Sequence, residues 1–213
     1  MMLKKKIPLI DQHDKLGFWG GKFGGNFVPE TLKKPIEDLE IQFNKLKKDK
    51  IFINERDKYF KSPTKDLNLG NSGTGMRLIL GLISGLGINA ILVGDQSLTN
   101  RPMSRVIDPL KVMGVEIESN DGMAPIKILG GNICNNFEYE MPIASAQVKS
   151  CLMLAALASN KTISISEPKT TRDHTERMIE YFKGDIKYGN DEDKGLIKLN
   201  NKNLIPRESY DIV

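Results

Sequence analysis

From Lys65 onward the spacing of apolar positions switches repeatedly between helical and strand periods. TGMRLILGLISGLG, starting at Thr74, carries apolar residues at helical spacing and predicts a helix. NAILVGD, starting at Asn89, is a short apolar run between polar residues and predicts a strand. RPMSRVIDPLKVMG predicts a second helix, and VEIES and APIKILGG predict two more strands. The order then recurs. EYEMP leads into the helix ASAQVKSCLMLAALAS, the strand KTISISEP, the helix RDHTERMIEYFKG and the strands DIKYG and GLIKLN. This is an internal repeat, with copies at about 62–132 and 133–213, and each copy reads as one βαβαββ unit. In both copies an acid stands at the end of the middle strand (Asp95, Glu167). An arginine opens the second helix (Arg101, Arg172), and a glycine is expected as that helix's C-cap (Gly114, Gly184).

The first 61 residues have a different texture. LGFWGGKFGGNFVPE, from Leu16, reads as a glycine and aromatic loop. The charged stretch after it sets Leu39, Ile41, Phe43 and Leu46 on one stripe of an amphipathic helix with a solvated face. The predicted class is therefore α/β (α+β), with a loop-plus-helix segment at 1–61 ahead of two repeats.

Composition narrows the partners. Lys and Arg total 31 against 27 Asp and Glu, and the net charge of +4 is spread along the chain instead of gathered in an arm, so nucleic acid is not the expected partner. No apolar run approaches the ~20 residues of a membrane span, and the start MMLKKKIPLIDQHDK lacks a long apolar segment, so the expected compartment is the cytoplasm. Cys134 and Cys151 form no CxxC pair and are expected as buried or half-buried thiols, with no zinc site and no disulfide framework.

Three places carry candidate chemistry. LGNSGTGMR sets Gly70, Gly73 and Gly75 around Asn71, Ser72 and Thr74 directly before a helix, where free N–H groups favour an anion. It lacks the lysine of a phosphate loop and the spacing of a dinucleotide fingerprint, and a capped glycine turn would read the same. Arg101 and Arg172 hold equivalent places in strand-to-helix connections. Such arginines suit phosphate or carboxylate; the alternative is a surface ion pair with Asp95 or Asp173. In PIASAQVKS, Ser145 reads as a helix cap, whereas Gln147 needs either water or a partner. His174 reads as a surface or capping residue, with no nucleophile placed to use it as a base.

From about Ser62 to Val213 the chain resembles the 5-enolpyruvylshikimate-3-phosphate (EPSP) synthase family, through the blocks LGNSGTGMRL, LVGDQSLTNRPMSRVIDPLKVMGVEI, PIASAQVKSCLMLAAL and SEPKTTRDHTERM. The resemblance implies a monomer whose two domains each contain three βαβαββ units, two of them present here. It implies transfer of the enolpyruvyl group of phosphoenolpyruvate to the 5-hydroxyl of shikimate 3-phosphate with release of phosphate, on the route to chorismate. It implies no organic cofactor and no required metal. By the same resemblance Ser145, Ala146 and Gln147 meet shikimate 3-phosphate, with Gln147 also near phosphoenolpyruvate. Arg172 contacts the shikimate substrate, Arg101 contacts phosphoenolpyruvate, and Gly73 lines that pocket, where glyphosate also binds.

Two departures shape the expectation. The family's opening PGDKS-type segment is absent, and the chain stops at SYDIV before the domain that supplies the catalytic acid and base. In place of that opening, LGFWGGKFGGNFVPETLKKPIEDLE resembles the N-terminus of the tryptophan synthase β chain as far as about Lys61, short of any pyridoxal lysine. The expectation is a hybrid or truncated chain that holds substrate-binding residues, has no catalytic residue of its own and is inactive alone. The rival readings are a non-catalytic anion-binding module and a tryptophan synthase β fragment.

Overall fold

The computed structural model describes residues 60–191 and 194–200, together with residues 18, 19, 23, 24 and 41. The chain forms two units, Met1–Arg56 with Pro206–Val213, and Asp57–Ile205. In the first unit, β1 (Phe18–Trp19) and β2 (Phe23–Gly24) pair antiparallel inside the stretch expected as a loop. The amphipathic helix expected after Pro29 lies outside the described residues apart from Ile41.

The second unit contains both repeats. The first runs β3 (Leu67–Asn68), α1 (Gly73–Leu86), β4 (Ala90–Val93), α2 (Gln96–Thr99), α3 (Ser104–Val112), β5 (Val115–Asn120) and β6 (Met123–Gly131). The second runs β7 (Phe137–Glu140), α4 (Ala146–Ser159), β8 (Ile163–Glu167), α5 (His174–Tyr181), β9 (Ile186–Asp191) and β10 (Lys194–Leu199). Their sheets have the same order, β3-β4-β6-β5 and β7-β8-β10-β9. Each opens with a parallel pair and continues antiparallel, so the repeat read from the apolar pattern is a repeat of topology.

Single apolar faces account for most elements. In α1, Met76, Leu80 and Ile83 fall one and two turns apart and are buried. In β10, Gly195, Ile197 and Leu199 face inward while Lys194, Leu196 and Lys198 face out, a strict alternation. The exception is α4, buried on almost every side from Val148 to Ala156, as its nearly unbroken apolar sequence requires.

Helices α1 and α4 pack against each other at the centre of one core cluster that draws on both repeats. Two glycines let them approach. A Cβ on Gly81 would stand 2.2 Å from the carbonyl oxygen of Cys151, and one on Gly85 would stand 2.3 Å from that of Ala155. At those positions backbone lies against backbone, and no side chain fits.

Three local expectations need correction. α2 is an additional single turn between β4 and α3, formed because Asp95 Oδ1 accepts from Leu98 N at 2.8 Å. Gly114 takes the left-handed conformation (φ 107°) after α3, but after α5 that conformation falls to Lys183 (φ 62°), one residue before the expected Gly184. Cys134 is exposed, because it follows β6 in a surface connection; Cys151 is buried in α4 as expected.

Candidate anion site

The N-terminus of α1 organises the first half of the site. Ser72 caps the helix, its Oγ accepting from Gly75 N at 3.0 Å, and Gly73 is the first helical residue. Arg77 is one turn further on, on the same face as Gly73. Arg101 arrives from the loop between α2 and α3, three residues before α3 begins rather than as its opening residue. Its Nη2 donates to Asn71 Oδ1 and, at 3.2 Å, to Ser97 Oγ. The ion pair with Asp95 considered from sequence does not form, since that carboxylate caps α2.

Gly73 lies directly beneath two guanidinium groups. A Cβ there would be 3.2 Å from Nη1 of Arg77 and 3.2 Å from Nη1 of Arg101. Burial is the first cause that lowers the pKa of Arg77; the positive charges of Arg101 and of Arg105, on α3, lower it further. Among the described residues none of these three arginines forms an ion pair with a carboxylate. Among the described residues, Arg77 and Arg101 donate to neutral acceptors, Gln147 Oε1, Pro102 O, Asn71 Oδ1 and Ser97 Oγ. The repulsion that Arg77 feels from Arg101 and Arg105 is of the kind that a bound anion offsets.

The second repeat supplies the other half. Ser145 is the N-cap of α4, with Oγ 3.4 Å from Val148 N, and Ala146 is that helix's first residue. Gln147 finds the partners that its position demanded. Its Oε1 accepts from Arg77 Nη1 at 3.0 Å and its Nε2 donates to Thr74 Oγ1 at 2.7 Å, so it bridges the two repeats. Gly73, Arg101 and Gln147 thus converge, with Ser145 and Ala146 on the adjoining turn.

Arg172 is exposed in the loop between β8 and α5, and no hydrogen bond or ion pair among the described residues joins it to that group. His174 is exposed at the first position of α5. Thr74 belongs to the loop named from sequence, whereas Arg77 is not among the candidates there, although the signal is present: it stands four residues after Gly73, the spacing that places two residues on one helix face. No group of three or more His, Cys, Asp or Glu that could hold a metal occurs among the described residues, and none of their helices is long and apolar enough to cross a membrane.

Residues 30–213 match the family model for EPSP synthase (3-phosphoshikimate 1-carboxyvinyltransferase), a match that begins upstream of residue 62. A 3-phosphoshikimate 1-carboxyvinyltransferase from Clostridium tetani is 40% identical over 181 residues, covering 84% of this chain and 40% of the relative. One from Methylococcus capsulatus is 50% identical over 123 residues, 57% of this chain and 28% of the relative. The solved EPSP synthase from Acinetobacter baumannii superposes with a TM-score of 0.60 at 40% identity, over 68% of this chain and 32% of that one. The chain therefore spans well under half the length of these relatives. With a family match over most of its residues and the same fold in a solved member, the chain belongs to the EPSP synthase family.

Proposed function

We propose that this chain forms a substrate-binding wall for enolpyruvyl transfer from phosphoenolpyruvate to shikimate 3-phosphate. The observation that carries the reading is the pair Arg77 and Arg101 over Gly73, with the charge of Arg105 also acting on Arg77; the three lack a carboxylate partner among the described residues, and Arg77 is joined through Gln147 to the start of α4. Arg101 and Arg77 suit the phosphate or carboxylate of phosphoenolpyruvate, because fixed forks of donors match oxyanions two bonds at a time. Ser145, Ala146, Gln147 and Arg172 would hold shikimate 3-phosphate. In this reading the chain's own residues bind and orient the two anions, and the work of proton transfer is not assigned to any of them. The reading takes the chain as a cytoplasmic monomer, with the 1–61 segment as a separate, tryptophan-synthase-like element.

Calorimetric titration of the chain with shikimate 3-phosphate tests it. Binding that weakens at least tenfold in Arg172→Ala supports the assignment; no heat at millimolar ligand overturns it. The arginine cluster also favours a second reading, a non-catalytic anion-binding module. That reading predicts inorganic phosphate binding as tightly as either substrate, whereas the first predicts a clear preference for the substrates.

A further inference from the structure

Where α4, β8 and α5 meet, three charged side chains are withdrawn from water. Lys149, Glu167 and Glu176 each have only 1% of their side-chain surface exposed. Lys149 Nζ lies 3.0 Å from Glu167 Oε1 and 2.7 Å from Glu176 Oε1. Burying ions costs several kcal/mol each, and apolar replacements often leave a protein equally stable, so stability alone does not account for such a cluster.

Its geometry points to one residue. Glu167 Oε1 accepts from Thr171 N at 3.0 Å, and Glu167 Oε2 accepts from Thr171 Oγ1 at 2.7 Å. Lys149 Nζ donates to Thr171 O at 3.4 Å. The amide, hydroxyl and carbonyl of Thr171 are all held, and the next residue is the exposed Arg172. Lys149 stands two residues after Gln147 on the first turn of α4, and the same seam is closed by a 2.7 Å contact between Ser150 Oγ and Thr175 Oγ1.

The first repeat has a related arrangement. Asp95 follows β4 as Glu167 closes β8, and it holds Leu98 N in the loop that delivers Arg101. An acid at this point of each repeat thus shapes the connection that carries an arginine.

We propose that Glu167 and Thr171 are positioning residues for Arg172. Through Lys149 they fix the backbone of Arg172 relative to Ser145, Ala146 and Gln147, so that two elements of the chain meet one shikimate 3-phosphate together. The inference rests on the binding reading given above. Without the clamp, Arg172 would have to be ordered by the ligand, at a cost in affinity.

A double-mutant cycle on the 213-residue chain, read by calorimetry with shikimate 3-phosphate, tests the clamp. Thr171→Val is expected to weaken binding about tenfold, equivalent to about 1.4 kcal/mol, while Thr171→Ser stays within about twofold of the parent. In an Arg172→Ala background, Thr171→Val should weaken binding no further. The same weakening in both backgrounds, or none in the parent, overturns the positioning role. Glu167→Gln repeats the cycle from the other side of the bond, and carries the comparison if Thr171→Val does not fold. If the parent chain gives no heat, the binding reading falls and the inference with it; if Arg172→Ala loses affinity and Thr171→Val does not, the inference falls alone.

Discussion

Arg77 Nη1 donates to Gln147 Oε1 at 3.0 Å, and the two residues belong to different repeats. Each sits in the first turns of the central helix of its own repeat. The packing of α1 on α4 therefore delivers both to one place and aligns two helix N-termini there. Helix starts of this kind favour anions, and here they are joined by three arginines.

Replacing Arg77 separates a binding role from a packing role. Arg77→Ala removes one guanidinium from above Gly73 and leaves Gln147 Oε1 without its donor. Phosphoenolpyruvate affinity should fall about tenfold or more, since hydrogen bonds to charged groups contribute about 1.5–3 kcal/mol. Arg77→Lys should recover only part of the loss, because an ammonium lacks the planar fork. Calorimetric titration of the three proteins decides this, and equal affinities would remove Arg77 from the site.

Helix approach gives a stability prediction. Gly81→Ala or Gly85→Ala sets a methyl group against the carbonyl of Cys151 or Ala155, and neither backbone can yield without parting α1 from α4. Each should destabilise the fold by about 3 kcal/mol or more. Gly87→Ala is the contrasting case. Its φ is 65° but a Cβ there meets nothing within 4 Å among the described residues, so the conformational penalty of about 1 kcal/mol is the effect expected. Thermal unfolding followed by circular dichroism should rank the variants in that order.

The buried charges make a third case. Lys149→Met leaves Glu167 and Glu176 without their cation, and among the described residues Glu176 Oε2 already lacks a hydrogen-bond partner. The expected loss is about 3–5 kcal/mol. Combining Lys149→Met with Glu167→Leu and Glu176→Leu removes the whole charged cluster instead of orphaning part of it. The triple variant should recover much of the stability while shikimate 3-phosphate binding stays impaired, because the clamp on Thr171 is gone. Urea titration beside calorimetry reads both quantities.

The two thiols should react very differently. Burial in α4 pushes the Cys151 thiol up to about 12 from an ordinary value of 9.0, outweighing the hydrogen bond at Gly81 and the charge of Arg77; Cys134 is exposed. With a thiol-specific disulfide reagent at about pH 8, near the ordinary thiol range, one equivalent should react quickly and the second only after denaturant is added. Below pH 9.0 the Cys151 thiol is protonated in both states and its effect on stability is constant. From pH 9.0 to about 12 the unfolded chain releases its proton while the folded chain retains it, so this residue's contribution to stability declines across that window. Cys151→Ser should show a shallower decline than the parent in thermal unfolding between about pH 8 and 10.

Much of this protein is local and legible from residues close together along the chain. The periods of the apolar residues specified strands β4, β5, β6, β8, β9 and β10 and the principal helices α1, α3, α4 and α5, with β3, β7 and the single turn α2 as additions. The recurrence of Asp95 and Glu167, and of Arg101 and Arg172, marked the repeat. Ser72 and Ser145 could be read as caps because a cap bonds within three residues of itself.

Which distant side chains meet depends instead on how the elements pack. Arg77 and Gln147 are 70 residues apart along the chain, and nothing in their local sequence names the other. Nothing in QVKSCLML names the partners of its lysine, over which β8 and α5 close with two glutamates. Lys183 took the left-handed turn that Gly184 was expected to take, because the end of α5 and the start of β9 set where the chain must reverse. Helix and strand formation depend on neighbours within a few residues. A cluster of charges depends on the summed packing of every element between them, and here that packing turns on two glycines that let α1 and α4 touch.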